Sequence, residues 1–257
     1  MKVSFNELQG LCRKAFTGIG FEDGDAADAA DMVAWMQCHG FNAIDQLNRG
    51  LDFLLEEDPE ALPAVIYQDG DLAVLDGHGQ SVLRSISLAT ELGFAKARAR
   101  GLSVVKIRRC HNRQLIMGYL SRLAGRGINI TAFWRNAQEP LTEQVVGFRA
   151  GHPTPEVCIY SVRDVPEENE PNDGITLVMA NHVELLPSLG EDHDLDLLAR
   201  HSESDLMACR ERSLQEGIEV DDAIWARLKA LAHRILVESS EASRGGAGAG
   251  AGVNDND

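Results

Sequence analysis

Long apolar runs, paired cysteines and positive charge are what this sequence lacks. No stretch approaches the roughly 18–20 consecutive apolar residues of a membrane-crossing helix, so no membrane partner is expected. Met1-Lys2-Val3-Ser4-Phe5-Asn6-Glu7 lacks the apolar stretch of a secretory leader. The five cysteines (Cys12, Cys38, Cys110, Cys158, Cys209) are scattered, odd in number and without a Cys-x-x-Cys pair. That pattern argues against a disulfide scaffold and a zinc ribbon, and the expected setting is reducing and cytoplasmic. Lysine and arginine number 24 against 40 acidic residues, a net charge of -16. A chain this acidic is a poor general binder of nucleic acid, because phosphate contacts need positive surface. What is present is enough hydrophobic residue, 44% of 257, to bury a sizeable core.

The apolar spacing organises the chain. Ser4-Phe5-Asn6-Glu7 fits a capping box, with Leu8, Leu11, Cys12 and Ala15 following at helical spacing. A second helix is expected from an Asp25 cap to His39-Gly40, and a third from Asn42 to Asp58-Pro59, with Ile44, Leu47, Leu51, Leu54 and Leu55 on one face. Ala64–Tyr67 and Leu72–Leu75 flank Asp69-Gly70, a two-residue hairpin signal. Asp76-Gly77-His78-Gly79 reads as a loop before a helix over Ser81–Arg100. A strand at Leu102–Ile107, a loop at Arg108–Arg113, a helix at Leu115–Arg126 and a strand at Ile128–Phe133 form a βαβ pattern with parallel strands. Strands at Val157–Val162 and Ile175–Met179 flank an acidic loop at Asp164–Asp173, and helices follow at Ser204–Gln215 and Asp221–Val237. The expectation is an α/β fold: a helical N-terminal part, a mixed or parallel sheet and C-terminal helices. It makes one domain over 1–238, with a Gly/Ala-rich disordered tail over 239–257.

Charge is unevenly spread. From Ser81 to Arg135 eleven lysines and arginines face the single Glu91, a local +10 that leaves -26 on the rest. Such a stretch can pair with acidic neighbours, within the chain or across a dimer. It can also hold a small anion near Arg108, Arg109 and Arg113, which follow a strand's carboxyl end and precede a helix N-terminus. Asp76-Gly77-His78-Gly79 is superficially a dinucleotide turn, but Val82 stands where the third glycine of G-x-G-x-x-G belongs. Cys110-His111-Asn112 occupies the βα loop. There His111 is a candidate general acid or hydrogen-bond donor, and Cys110 a candidate nucleophile. His182, Glu184 and Glu191-Asp192-His193-Asp194 lack the spacing of a metal site, so no metal is expected. Trp134-Arg135 at a strand end can stack on a ligand or simply pack.

Three stretches resemble the malate/L-lactate dehydrogenase-like family of non-Rossmann type, which includes ureidoglycolate dehydrogenase and piperideine-carboxylate reductase. Met32 to Leu47, with Cys38-His39-Gly40-Phe41-Asn42, is similar to the family's G-H-D-S-H-G-V-x-R-L segment. Leu72 to Gly77, then Cys110-His111-Asn112 and Gly118-Tyr119, is similar to its Asp-Gly turn and its N-H-F-G…GYY segment. Gly217 to Ala232 is similar to its C-terminal helix. The resemblance implies an oxidoreductase acting on a small 2-oxo, 2-hydroxy or imino acid with NAD(P), and a homodimer. It aligns Asn42 with the family's proton-donating histidine and Gln46 with its arginine, and neither can do that residue's chemistry. His111, or alternatively Asn112, matches a second family histidine. The family's cofactor segments have no counterpart between Asn136 and Arg200. The implied site is therefore His111 as proton carrier, with His39, Asn42, Gln46, Arg109, Asn112, Arg113 and Tyr119 around a small anion. The cofactor is left unknown, and the alternative is a catalytically silent relative that binds a small carboxylate or acts as a partner subunit.

Overall fold

The computed structural model describes residues 1–136, 141–162, 174–183 and 196–235. The tail over 239–257, the acidic loop over 164–173 and the Glu191–Asp194 cluster lie outside them. Three helices open the chain: α1 (Phe5–Gly18), α2 (Asp23–Cys38) and α3 (Ala43–Glu56). The Ser4–Glu7 capping box forms in full at the start of α1. The second helix starts two residues before Asp25, with Glu22 at the cap position and no side-chain cap bond. Ala26, Ala29, Ala30, Met32, Val33 and Ala34 are all buried along α2, so this small-residue helix is packed on most of its circumference.

Strands β2 (Ala64–Asp69) and β3 (Leu72–Ser81) form the expected hairpin, with Asp69 opposite Leu72. Helix α4 (Val82–Arg100) then crosses over to β4 (Leu102–His111), which runs parallel to β3. Gly101 stops α4 in the left-handed conformation at φ 95°, where a side chain is disfavoured. A 3-10 turn at Arg113–Ile116 leads into α5 (Met117–Gly125) and then β5 (Asn129–Arg135). Next come β6 (Thr142–Phe148), β7 (Glu156–Ser161), β8 (Gly174–Ala180), β9 (Leu197–His201) and α6 (Glu203–Glu216). The short β10 (Ile218–Glu219) pairs with β1 (Lys2–Val3), and α7 (Asp222–Ala232) packs on α1.

The main sheet has eight strands in the order β2-β3-β4-β8-β5-β6-β7-β9. The two strands of the expected βαβ unit do run the same way, but they are not neighbours: β8 lies between them, antiparallel to both. A strand from about 70 residues downstream carries no local signal of where it will insert. The expected loop at Asp76–Gly79 is instead a bulge within β3, between Asp76 and Gln80, with His78 and Gly79 at φ 54° and 78°. Strands β1, β6, β9 and β10 are additions to the expected set. The core is continuous from α1 and α2 to the covered sheet face through Phe16, Met36, Leu75, Ile86, Ile107 and Phe148.

Candidate functional site

A cavity of about 830 Å³ opens where β3 and β4 end side by side, the place where open α/β sheets hold ligands. One wall is the polar face of α3: Gln46, Arg49, Gly50, Phe53 and Glu56 recur at helical spacing, and Glu57 and Asp58 follow. The opposite face of α3 carries Ile44, Leu47, Leu51 and Leu54 into the core. The other walls come from His78–Gln80 on β3, His111 at the end of β4 with Asn112–Gln114 after it, Trp134–Asn136 at the end of β5, and Gln144 on β6.

Local backbone geometry sets the turn that carries His111. Asn112 adopts φ 56° and ψ 31° and caps the 3-10 turn, and Leu115 N donates to its carbonyl at 3.0 Å. Its side-chain amide lies against Gly50, where a Cβ would stand 2.7 Å from Nδ2. A glycine inside an amphipathic helix is thus explained by close approach. His78 and Asn112, both at the cavity wall, and nearby Arg109 are the non-glycine residues of positive φ among those described. Strained backbone of this kind concentrates at ligand sites.

His111 Nδ1 lies 2.9 Å from the Gly79 carbonyl, which can only accept, so this nitrogen carries a proton. Nε2 lies 2.9 Å from Glu57 Oε1 but out of line for a hydrogen bond. The Glu57 carboxylate also accepts from Ser81 N at 2.6 Å and Arg84 Nε at 3.0 Å. Gln80 is 3% exposed. Its Nε2 donates to Asp58 O at 2.8 Å and its Oε1 has no partner. Gln144 Oε1 is likewise buried without a partner. Three of the four buried side-chain atoms without a hydrogen bond among the described residues belong to wall residues of this one cavity; they have no surface open to it, so they mark places for buried water and not ligand contacts.

The charged wall residues differ in freedom. Arg113 donates from Nε to Cys110 O at 2.9 Å and from Nη1 to Arg135 O at 2.7 Å, bracing the turn. Arg135 pairs with Glu143 at 3.0 Å. Arg49 makes no ion pair with a described residue. The hollow is of mixed charge, with Glu56, Glu57 and Asp58 beside Arg49, Arg113 and Arg135. At the start of α4 the Glu57 carboxylate already sits on Ser81 N–H, and Ser81 Oγ accepts from Leu83 N at 3.2 Å. A phosphate arriving there would meet a fixed negative charge, so the turn before α4 does not fit a pyrophosphate.

Of the residues expected at the site, the cavity brings together Gln46, His111, Asn112 and Arg113. The other four lie elsewhere. His39 is buried at the end of α2, with Nδ1 2.7 Å from Trp35 O and its ring stacked on Trp35 at 4.0 Å. Asn42 borders a separate hollow of about 430 Å³ with Gln37, Asp45 and Asp221. Arg109 grips Asp76 through Nε at 2.8 Å and through Nη2. Tyr119 packs under Arg122 and donates to Glu91 at 3.3 Å. The nucleophile reading of Cys110 does not suit its surroundings: the thiol is buried, and burial pushes its pKa up. No group of three metal-ligating side chains occurs among the described residues.

Arg49, Gln80 and Glu57 had no motif to betray them. The available signal was Gly50 and Phe53 on the side of α3 away from its apolar stripe. Phe53 is 67% exposed, with its ring 6.3 Å from that of His111.

Burial lowers the His39 pKa to about 4 from an ordinary 6.5, outweighing the Trp35 carbonyl that favours the charged form. The unfolded chain then binds the extra proton first, so stability present above pH 6.5 is lost as pH falls toward 4. The loss should reach about 3 kcal/mol. Urea unfolding at pH 7 and pH 5 should show that slope in the wild type and a flatter one in His39→Phe. Equal slopes would mean that His39 is not held neutral.

A family model described as a protein of unknown function (DUF3726) matches residues 3–100. No curated protein matches the chain. Among solved structures, malate dehydrogenase from Pyrococcus horikoshii OT3 is similar at TM-score 0.65 and 14% identity, covering 93% of this chain and 96% of its own. Sulfolactate dehydrogenase from Methanocaldococcus jannaschii matches at 0.63 and 14%, covering 91% and 97%. The Δ1-piperideine-2-carboxylate reductase of Pseudomonas syringae pvar. tomato matches at 0.61 and 14%, covering 90% and 99%. At such identities the likeness is one of architecture, and the chain is built on the malate/lactate dehydrogenase-like fold.

Proposed function

We propose that the 830 Å³ cavity binds a small carboxylic acid, and that Arg49 takes the carboxylate. The observation that carries this is that Arg49, which makes no ion pair with a described residue, lines the same hollow as the side-chain amides of Gln46, Asn112 and Gln114. Gln46 and Asn112 add amide donors beside it, and an acid group on a charged donor is the strongest pairing such a wall offers. Calorimetric titration with lactate, malate and pyruvate tests the reading. Arg49→Ala should weaken whichever acid binds by about 10–100-fold, the worth of one charge-assisted hydrogen bond. Affinity untouched by that change would remove Arg49 from the site.

The fold likeness and His111 favour a second reading, in which the chain interconverts a 2-hydroxy or imino acid and its oxidised form with a nicotinamide cofactor. The turn before α4 does not fit the dinucleotide's phosphates, and no step through that cofactor is derived. Turnover of reduced nicotinamide in the presence of the bound acid would establish this reading over simple binding.

A cytoplasmic homodimer is also part of the proposal. In its support, edge strand β2 exposes Val65, Ile66 and Tyr67 by about half, and all five cysteines are free thiols. Sedimentation at micromolar concentration should give twice the chain mass, and a monomer would count against it. No described helix is long and apolar enough to cross a membrane.

A further inference from the structure

We infer that the face of the main sheet turned away from α4 is the seat of a second copy of this chain, the two sheets stacked about a two-fold axis. The inference rests on the homodimer reading and names its surface. Helix α4 packs on the other face, where a Cβ on Gly93 would stand 2.7 Å from Val105 and 3.3 Å from Met179. Leu75, Val105, Ala132, Val146 and Leu177 belong to that helix-packed core. Their strand neighbours Val74, Val104, Phe133, Val145 and Val178 point the opposite way and are not part of it. The four valines are partly exposed and Phe133 is 38% exposed. A sheet face left to water alternates polar residues into these positions. Here adjacent strands β3, β4, β8, β5 and β6 each place an apolar side chain there.

Size favours this face over the β2 edge. The six strands from β3 to β7 in sheet order present roughly 29 by 20 Å, or about 600 Å² per copy. Two copies then bury about 1,200 Å², the scale of a specific interface. Two β2 edges laid side by side would cover about 200 Å² each. Charge points to a copy of the same chain. Lys106 and Arg108 lie on this face of β4 and make no hydrogen bond or ion pair with a described residue. Burial lowers the Lys106 pKa, and Arg113, Arg108 and Arg135 nearby act in the same direction. This part of the face is short of an acid, and β6 carries one: Glu143 engages Arg135 through a single oxygen at 3.0 Å. The strand registers put Arg108, Gly174, Arg135 and Glu143 in one row across β4, β8, β5 and β6. A two-fold axis along the strands, over the β8–β5 seam, turns that row onto itself. Arg108 then meets Glu143 of the second copy, Arg135 enters the space left by its Gly174, and Thr176 meets its Phe133. Stacked sheets lie about 10 Å apart and within about 30° of alignment, so the strands beside the axis keep this register.

Sedimentation of the full chain at micromolar concentration, with alkylation of Cys158, decides the matter. Cys158 is partly exposed and lies on the same face, opposite Val145. The expected wild type is a dimer in which this thiol reacts slowly. Phe133→Asp should weaken the dimer at least about 100-fold, because it buries an unpaired charge at the seam, and should speed the alkylation. Arg108→Glu should do the same by setting two acids together. Ile66→Lys, on the β2 edge, should leave the dimer intact. Phe133 and Arg108 point away from the core, so both variants should fold, which circular dichroism verifies. Arg108→Glu carries the test if Phe133→Asp does not. A dimer dispersed by Ile66→Lys and not by Phe133→Asp overturns the stacked face and leaves the homodimer standing on its edge. A dimer that resists Arg108→Glu overturns the two-fold arrangement. A monomeric wild type overturns the inference and the homodimer reading together, and slow Cys158 alkylation in that monomer would mean that the chain covers this face itself.

Discussion

Glu57→Ala is expected to lower the free energy of unfolding by about 3–5 kcal/mol, the cost of stripping a buried charge of its partner. The side chains of Glu57 and Arg84 are 5% and 9% exposed and meet at 3.0 Å. Arg84 also donates to Ile19 O at 3.2 Å and lies 3.8 Å over the Phe21 ring, so one guanidinium ties the end of α1 to the end of α3 and the start of α4. Alanine would leave that guanidinium buried and leave Ser81 N without its acceptor. Removing both charges together is a different perturbation. Glu57→Leu with Arg84→Met takes away the ions and keeps the volume, and should cost less than either single change. Urea unfolding of the four proteins of that cycle measures the coupling. A Glu57→Ala protein within about 1 kcal/mol of wild type would show that the pair is more hydrated than its burial implies. The pair bears on the site because Glu57 also stands 2.9 Å from His111 Nε2. The same substitution should therefore weaken acid binding even in molecules that remain folded.

Much of the helical half could be read from the sequence, for a local reason. A capping box at Ser4–Glu7, an apolar stripe at Ile44, Leu47, Leu51 and Leu54, and a hairpin signal at Asp69-Gly70, one residue before the turn at Gly70-Asp71, are each written within a few residues. The sheet order could not be read this way, because the insertion of β8 between β4 and β5 depends on pairings that no local pattern encodes. The same division runs through the site. His111, Asn112 and Arg113 announce themselves as a loop after a strand, and they do border the cavity. Gln80 and Gln144 are glutamines on strands, ordinary until folding buries their amides and leaves oxygens unmatched. His39 shows the converse: a histidine next to a glycine at a helix break looks chemical, yet it ends packed on Trp35.

Gly174→Val is expected to prevent folding, or to cost at least about 4 kcal/mol where folded protein is obtained. Gly174 sits at φ 138°, outside the range that side chains ordinarily adopt. A Cβ there would run into the carbonyl oxygen of Ile107, with Ile107 C at 2.9 Å and Arg108 Cα at 3.1 Å. All three are backbone atoms of β4, so no rotamer change can relieve the clash. The alternative is to part β8 from β4 at the Arg108–Gly174 pair. That pair lies just before Cys110, His111 and Asn112 on β4, so the damage would fall on the strand end that builds the cavity. Alanine brings the same Cβ and should fail nearly as badly, which separates this clash from a mere loss of β8 stability. Gly125→Ala is the control: nothing lies within 4 Å of its added Cβ, it ends a helix, and it should be neutral or slightly stabilising. Trp134 pairs with Ile175, next to Gly174, so its fluorescence reports on the affected sheet directly. A Gly174→Val protein that melts within a few degrees of wild type with unchanged Trp134 emission would mean that β8 does not meet β4 this closely. The packing that places His111 over α3 would then need another explanation.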